Sequence, residues 1–276
     1  MSAAGFDASR YDAFVFDLDG TVWLGADAPI PGALEFLARC REQGATVAFA
    51  TNAIVHSPET LSAQLVHLGL ALPGEPVVTS GTVIVRTLVS EGAELVAAVV
   101  PSQLEESFLQ AGIAVVSPND VTVDDFGPVG PDRALVIASS RGATIGSIER
   151  LGRLAMAGHR VYISSKDAGF PIVGGIEPGG GVLFAALTAM YDVDAAILGK
   201  PSPHYAAVVA EAVGGVGRRI LVCGDSQRAD IGIAHELGCD SVLLTSHSVR
   251  PISHDLPAPT YVAPSLADAF RPHRAG

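Results

Sequence analysis

The sequence predicts an α/β fold built on a mostly parallel sheet, and three observations carry that expectation. Short runs rich in β-branched and apolar residues alternate with longer amphipathic runs along the chain, the pattern of repeated strand-helix units. Glycine and proline punctuate these runs instead of forming repeats. Polar residues with chemical potential stand where several apolar runs stop: two acids after the first, a threonine and an asparagine after the second, a lysine and a further acid after later ones.

In chain order, residues 13–17 (AFVFD) read as a buried strand and 31–44 (PGALEFLARCREQG) as the helix after it. Strand 46–52 (TVAFATN) leads to helix 57–69 (SPETLSAQLVHLG), and strand 95–100 (LVAAVV) to helix 102–112 (SQLEESFLQAG). The alternation resumes with strand 133–139 (RALVIAS), helix 144–158 (TIGSIERLGRLAMAG) and strand 160–164 (RVYIS). It closes with strand 195–199 (AAILG), helix 202–215 (SPHYAAVVAEAVGG), strand 219–225 (RILVCGD) and helix 230–238 (DIGIAHELG). Ser202 has the chemistry of an N-cap and Pro203 that of a first helical residue, so Lys200 falls in the loop before a helix N-terminus, where an anion is favoured.

Composition bounds the function. The chain has 276 residues, 49% of them hydrophobic and 17% charged, enough for a sizeable core and far from the disordered regime. Its formal charge of -12 argues against a nucleic-acid surface and against an anionic membrane. Cys40, Cys223 and Cys239 show no CxxC spacing, and three cysteines cannot all pair, so a reducing cytoplasm is the expected compartment. The first residues lack the apolar core of a signal peptide, and no apolar run reaches membrane-spanning length. Cys223, inside ILVC, reads as a small core residue rather than a nucleophile. Scattered His56, His204, His235 and His247 show no metal-ligand spacing.

The first strand ends in Asp17-Leu18-Asp19-Gly20-Thr21. Alternate residues of a strand share a face, so Asp17 and Asp19 would repel each other unless a cation sits nearby. Thr51 and Asn52, Lys200, and Asp225 with Asp230 (CGDSQRAD) end other strands, and parallel sheets bind ligands beyond the carboxyl ends of their strands. Acids, a hydroxyl and a lysine together supply what metal-assisted phosphoryl transfer needs. Taken singly, each patch has an ordinary reading as a turn, a solvated lysine or a helix cap.

The four patches in this order, DLDGT, Thr51 of ATN, Lys200 of GKP and GDSQRAD, resemble the haloacid dehalogenase superfamily. Trp23-Leu24-Gly25, Val78-Thr79-Ser80, Pro178-Gly179-Gly180-Gly181 and GKPSP resemble its nitrophenyl-phosphatase or NagD-like subfamily IIA. The resemblance implies a Rossmann-like core with a parallel sheet and an inserted α/β cap of the C2 type. The expected division is a catalytic core over 1–81 and 178–276 and a cap over 82–177. It implies a phosphatase acting on a small phosphate ester, with Asp17 as nucleophile and Asp19 as general acid and then base. Thr51, backbone amides near Asn52, and Lys200 would hold the phosphoryl group. Mg2+ would be held by Asp17, the Asp19 carbonyl and Asp225, with Asp230 supporting that set from behind. A non-catalytic metabolite-binding module and a dehalogenase are the competing readings, and the oligomeric state stays open between monomer and homodimer.

The chain departs from the family pattern in places. Ala53 stands where many relatives carry a second asparagine, and Ser139-Ser140-Arg141 stands where relatives often have a glycine-rich strand end with an acid. Residues 164–171 (SSKDAGFP) replace a Thr-Asn-x-Asp segment, keeping only its aspartate. Lys166, Asp167 and Phe170 of that stretch are therefore the candidates for reading the substrate beyond its phosphate.

Overall fold

A computed structural model describes residues 7–25, 27–167, 169–172, 175–215, 217–248 and 251–269; of 170–172, 175 and 176 it describes the backbone alone. The chain divides into two compact units. One comprises 1–51, 58–78 and 200–276, and the other 52–57 and 79–199.

The first unit is built on a six-stranded sheet in the order Tyr261–Ala263, Asp240–Leu244, Ile220–Gly224, Ala13–Phe16, Thr46–Thr51, Val77–Thr79. Pairing is parallel from Tyr261–Ala263 across to Thr46–Thr51. All four residues of Ala13–Phe16 are buried, as a central strand of a sheet covered on both faces requires. Phe14 and Phe16 stack with ring centroids 6.2 Å apart, and Phe36 of helix Ala33–Glu42 meets both edge-on at 5.8 and 5.6 Å. Such pairs add roughly 0.5–1.5 kcal/mol each to what burial alone contributes. Strand Ala13–Phe16 is thereby held rigidly, and the residues that follow it inherit that rigidity. Trp23 and Cys223 are buried in the same core, the cysteine as its place inside ILVC suggests.

The second unit carries a five-stranded parallel sheet in the order Ala196–Ile197, Arg160–Ile163, Arg133–Ile137, Leu95–Val99, Ala114–Val116. An antiparallel hairpin, Gly169–Ile172 with Gly175–Pro178, adjoins helix Gly180–Met190 in sequence. Residues 178–199, expected with the first unit, pack with this one. The reason is local. Helix Gly180–Met190 packs against helix Ile145–Met156 and strands Arg133–Ile137 and Arg160–Ile163, while Ala196–Ile197 extends the sheet.

Candidate active site

The site grows from the order of the strands. Ala13–Phe16 lies between Ile220–Gly224 and Thr46–Thr51, and all three run the same way. Residues that terminate them, Asp17, Asp225 and Thr51, therefore share one edge of the sheet, although they are far apart in sequence. Two glycines make the close approach geometrically feasible. Gly20 turns the chain with φ +80°, and a Cβ there would lie 2.4 Å from Asp225 Oδ2. A Cβ on Gly224 would lie 2.2 Å from Asp230 Cγ. Larger residues at these positions would displace the carboxylates.

Lys200 is buried and spends its ammonium three ways. Nζ donates to Asp17 Oδ1 at 2.7 Å, to Asp230 Oδ1 at 2.6 Å and to the Ala50 carbonyl at 2.8 Å. Asp230 is also buried, and its Oδ2 accepts the Ser226 N–H at 3.0 Å, so both of its oxygens are engaged within the protein. One carboxylate oxygen from each of Asp17, Asp225 and Asp230 lies within 4.8 Å of the others. Three carboxylates face one ammonium, and the electrostatics register the shortage of positive charge. Burial, then Asp230, raise the Asp17 carboxyl well above its usual range, with Lys200 opposing them. The same first two causes push Asp225 up to about 7. Burial disfavours the Lys200 ammonium, but Asp17 and Asp230 outweigh it and hold the group charged well above its ordinary range. An all-oxygen cluster short of positive charge fits a hard divalent cation.

Placement of the expected residues is uneven. Asp17, Lys200, Asp225 and Asp230 come together in the first unit, and buried Thr51 ends the strand whose Ala50 carbonyl Lys200 holds. The Asp19 side chain is exposed, outside the three-carboxylate cluster. Asn52 groups with the second unit, where its Oδ1 accepts the Ser80 hydroxyl at 2.9 Å. Lys166 and Asp167 are exposed in the second unit, and Asp167 Oδ2 accepts the Ser165 hydroxyl at 2.8 Å. Phe170 lies on the strand Gly169–Ile172; its side chain falls outside the described residues. Sequence reasoning missed Tyr205, whose buried hydroxyl donates to the Thr51 carbonyl at 2.9 Å and the Val78 carbonyl at 2.7 Å.

Two family models match this chain: haloacid dehalogenase-like hydrolase over residues 14–114, and HAD-hydrolase-like over 197–269. Between them they span the sequence motifs of the acidic cluster and its lysine. The chain belongs to the haloacid dehalogenase-like hydrolases. Dihydroxyacetone phosphatase of Corynebacterium glutamicum is 28% identical over 263 residues, covering 93% of this chain and 90% of that protein. The crystal structure of glycerol phosphate phosphatase from Mycobacterium tuberculosis in complex with magnesium superposes with a TM-score of 0.77 at 27% identity, covering 96% of this chain and 78% of that one. The 4-nitrophenylphosphatase of Thermotoga maritima shares the fold, with a TM-score of 0.79 at 23% identity over 95% of this chain and 97% of that one. A protein named for nagD likewise shares the fold, with a TM-score of 0.78 at 23% identity over 93% of this chain and 96% of that one. Among the described residues, no helix is long and apolar enough to cross a membrane.

Proposed function

We propose that this phosphoric monoester hydrolase uses Mg2+ to cleave a small phosphorylated metabolite through an aspartyl-phosphate on Asp17. The observation that supports this most is the Asp17 carboxylate at the sheet edge, fixed through one oxygen by buried Lys200 and grouped with Asp225. Asp17 attacks phosphorus in line and the P–O bond to the substrate alkoxide breaks, while Asp19 protonates that alkoxide. Asp19, now a carboxylate, removes a proton from the water that attacks the phospho-aspartate, releasing phosphate and restoring Asp17. The exposure of Asp19 suits a group that must meet both substrate and water. Thr51 and amides near Asn52 hold the phosphoryl oxygens as charge shifts between them. Lys200, whose three N–H donors go to Asp17, Asp230 and the Ala50 carbonyl, acts on those oxygens through its positive charge. Mg2+, held by Asp17, the Asp19 carbonyl and Asp225, would neutralise the phosphoryl charge.

Relatives named for dihydroxyacetone and glycerol phosphates support a sugar or polyol phosphate as substrate, with a nucleotide monophosphate as the further option. A phosphate-release panel spanning these three classes, run with Mg2+ and ranked by kcat/KM, tests the reading. Release above background from none of them would refute it.

Asp225 and Asp230 separate by their partners. Asp225→Asn should lower turnover at limiting Mg2+ by about 10–100-fold, with partial recovery as Mg2+ is raised, because a ligand is weakened. Asp230→Asn should leave the Mg2+ requirement nearer that of the wild type, since its oxygens serve Lys200 and Ser226. Titrating activity against Mg2+ distinguishes the two, and full activity after chelation would remove the metal from the mechanism.

We propose the second unit as the cap and Asp167 as its candidate for reading the leaving alcohol. Asp167→Ala should lower kcat/KM for the best natural ester about tenfold more than for nitrophenyl phosphate, which lacks hydroxyls for Asp167 to accept from. Equal losses for the two esters would assign Asp167 to holding the Ser165 turn instead.

A further inference from the structure

We infer that Tyr205 is a positioning residue for the phosphoryl group, acting through Thr51; the inference rests on the proposed role of Thr51 in holding phosphate. Tyr205 is fully buried. Its hydroxyl has one proton to donate and two carbonyl acceptors, Thr51 O at 2.9 Å and Val78 O at 2.7 Å. These acceptors sit on neighbouring strands. Thr51 is the last residue of Thr46–Thr51, Val78 is the middle residue of the edge strand Val77–Thr79, and each is the last residue of the first unit before the chain passes into the second. At a strand end, and on the outer side of an edge strand, the ladder leaves carbonyls unsatisfied, so a buried one needs a donor from elsewhere. One phenol serves both and ties the two strands together.

The tie is itself fixed at its base. The Tyr205 backbone N–H donates to Ser202 Oγ at 3.2 Å, the N-cap bond of helix Pro203–Ala212. Lys200, five residues before Tyr205, holds the Ala50 carbonyl, the one before Thr51. A single short segment, 200–205, thus grips two consecutive carbonyls at the end of strand Thr46–Thr51, one with an ammonium and one with a phenol. Thr51 is left little freedom to move its hydroxyl relative to Asp17, which the same lysine holds. Displacements of an ångström in such a group are enough to weaken phosphoryl binding strongly.

Tyr205→Phe keeps the ring and removes only the donor. The inhibition constant for inorganic phosphate and the KM for nitrophenyl phosphate should each rise about tenfold, with kcat falling less. A core-packing role alone would lower Tm and leave the kinetics of the folded enzyme unchanged, and that result would overturn the inference. The decisive comparison is a double-mutant cycle. If Tyr205 acts through Thr51, Tyr205→Phe should add little to the phosphate-binding loss already caused by Thr51→Ala; full additivity would overturn the inference. Thr51→Ala binding phosphate as tightly as the wild type would instead bring down the underlying reading of Thr51, whatever Tyr205 does, and the inference with it. Should Tyr205→Phe fail to fold, Ser202→Ala loosens the base of the phenol and should raise the phosphate inhibition constant in the same direction by a smaller factor.

Discussion

Asp17→Asn is expected to lose about 10⁴-fold or more in kcat with nitrophenyl phosphate at saturating Mg2+, because an amide is too weak a nucleophile to form the phospho-enzyme. The loss should not come from unfolding. Asparagine matches the shape of aspartate, and its amide oxygen can still accept from the Lys200 ammonium that now bonds Asp17 at 2.7 Å. In the metal-free protein the charged form of Asp17 is already disfavoured by burial and by Asp230. Removing that charge therefore relieves repulsion within the cluster, and metal-free Asp17→Asn should unfold at the same denaturant concentration as the wild type or a higher one. Phosphate release and urea unfolding on the same preparation check both halves. Activity above about one per cent of wild type, in a preparation free of deamidated protein, would exclude Asp17 as the nucleophile.

How much of this was legible in the sequence follows from how local each signal is. Asp17, Thr51 and Asp225 could be read because each ends or follows an apolar run, and one parallel sheet gathers those ends on one edge. Lys200 also follows an apolar run, but that strand, Ala196–Ile197, belongs to the other sheet. The lysine was legible from its place just before the helix start at Ser202 and Pro203. Ser202 and Pro203 were readable as a helix start because capping is a matter of three adjacent residues, and Ser202 does accept the Tyr205 N–H. Helix Gly180–Met190 was not readable. It is apolar nearly all round, so it shows no polar stripe, and its two leading glycines resemble a loop. Gly181 is instead demanded by packing, since a Cβ there would lie 2.4 Å from the Asp167 carbonyl oxygen. Strands Ala114–Val116 and Tyr261–Ala263 are too short to display a period. Tyr205 escaped for another reason. It reads as one more aromatic on a helix, and its hydroxyl acceptors are 154 and 127 residues away, a separation that no local pattern records.

Removing the lysine should produce the largest combined effect on stability and rate. Lys200→Ala withdraws the one ammonium from between Asp17 and Asp230 and leaves the Ala50 carbonyl without that donor. Breaking a buried ion pair from one side costs about 3–5 kcal/mol, because the remaining charge stays buried without compensation. Here two carboxylates are stranded together, Asp230 almost wholly enclosed and Asp17 nearly so. The metal-free variant should accordingly unfold at a much lower urea concentration than the metal-free wild type. Mg2+ should then recover more stability for the variant than it adds to the wild type, since a divalent cation at Asp17 and Asp225 replaces part of the missing positive charge. Turnover should not recover in parallel. The Lys200 charge is assigned to stabilising the phosphoryl oxygens, and losing such a stabilising group costs about 10²–10³ in kcat even where the fold is intact. Metal-free unfolding at an unchanged urea midpoint would show that the cluster does not depend on Lys200 for its charge balance. Restoration of both stability and kcat by Mg2+ would confine the lysine to charge neutralisation and take it out of the transition state.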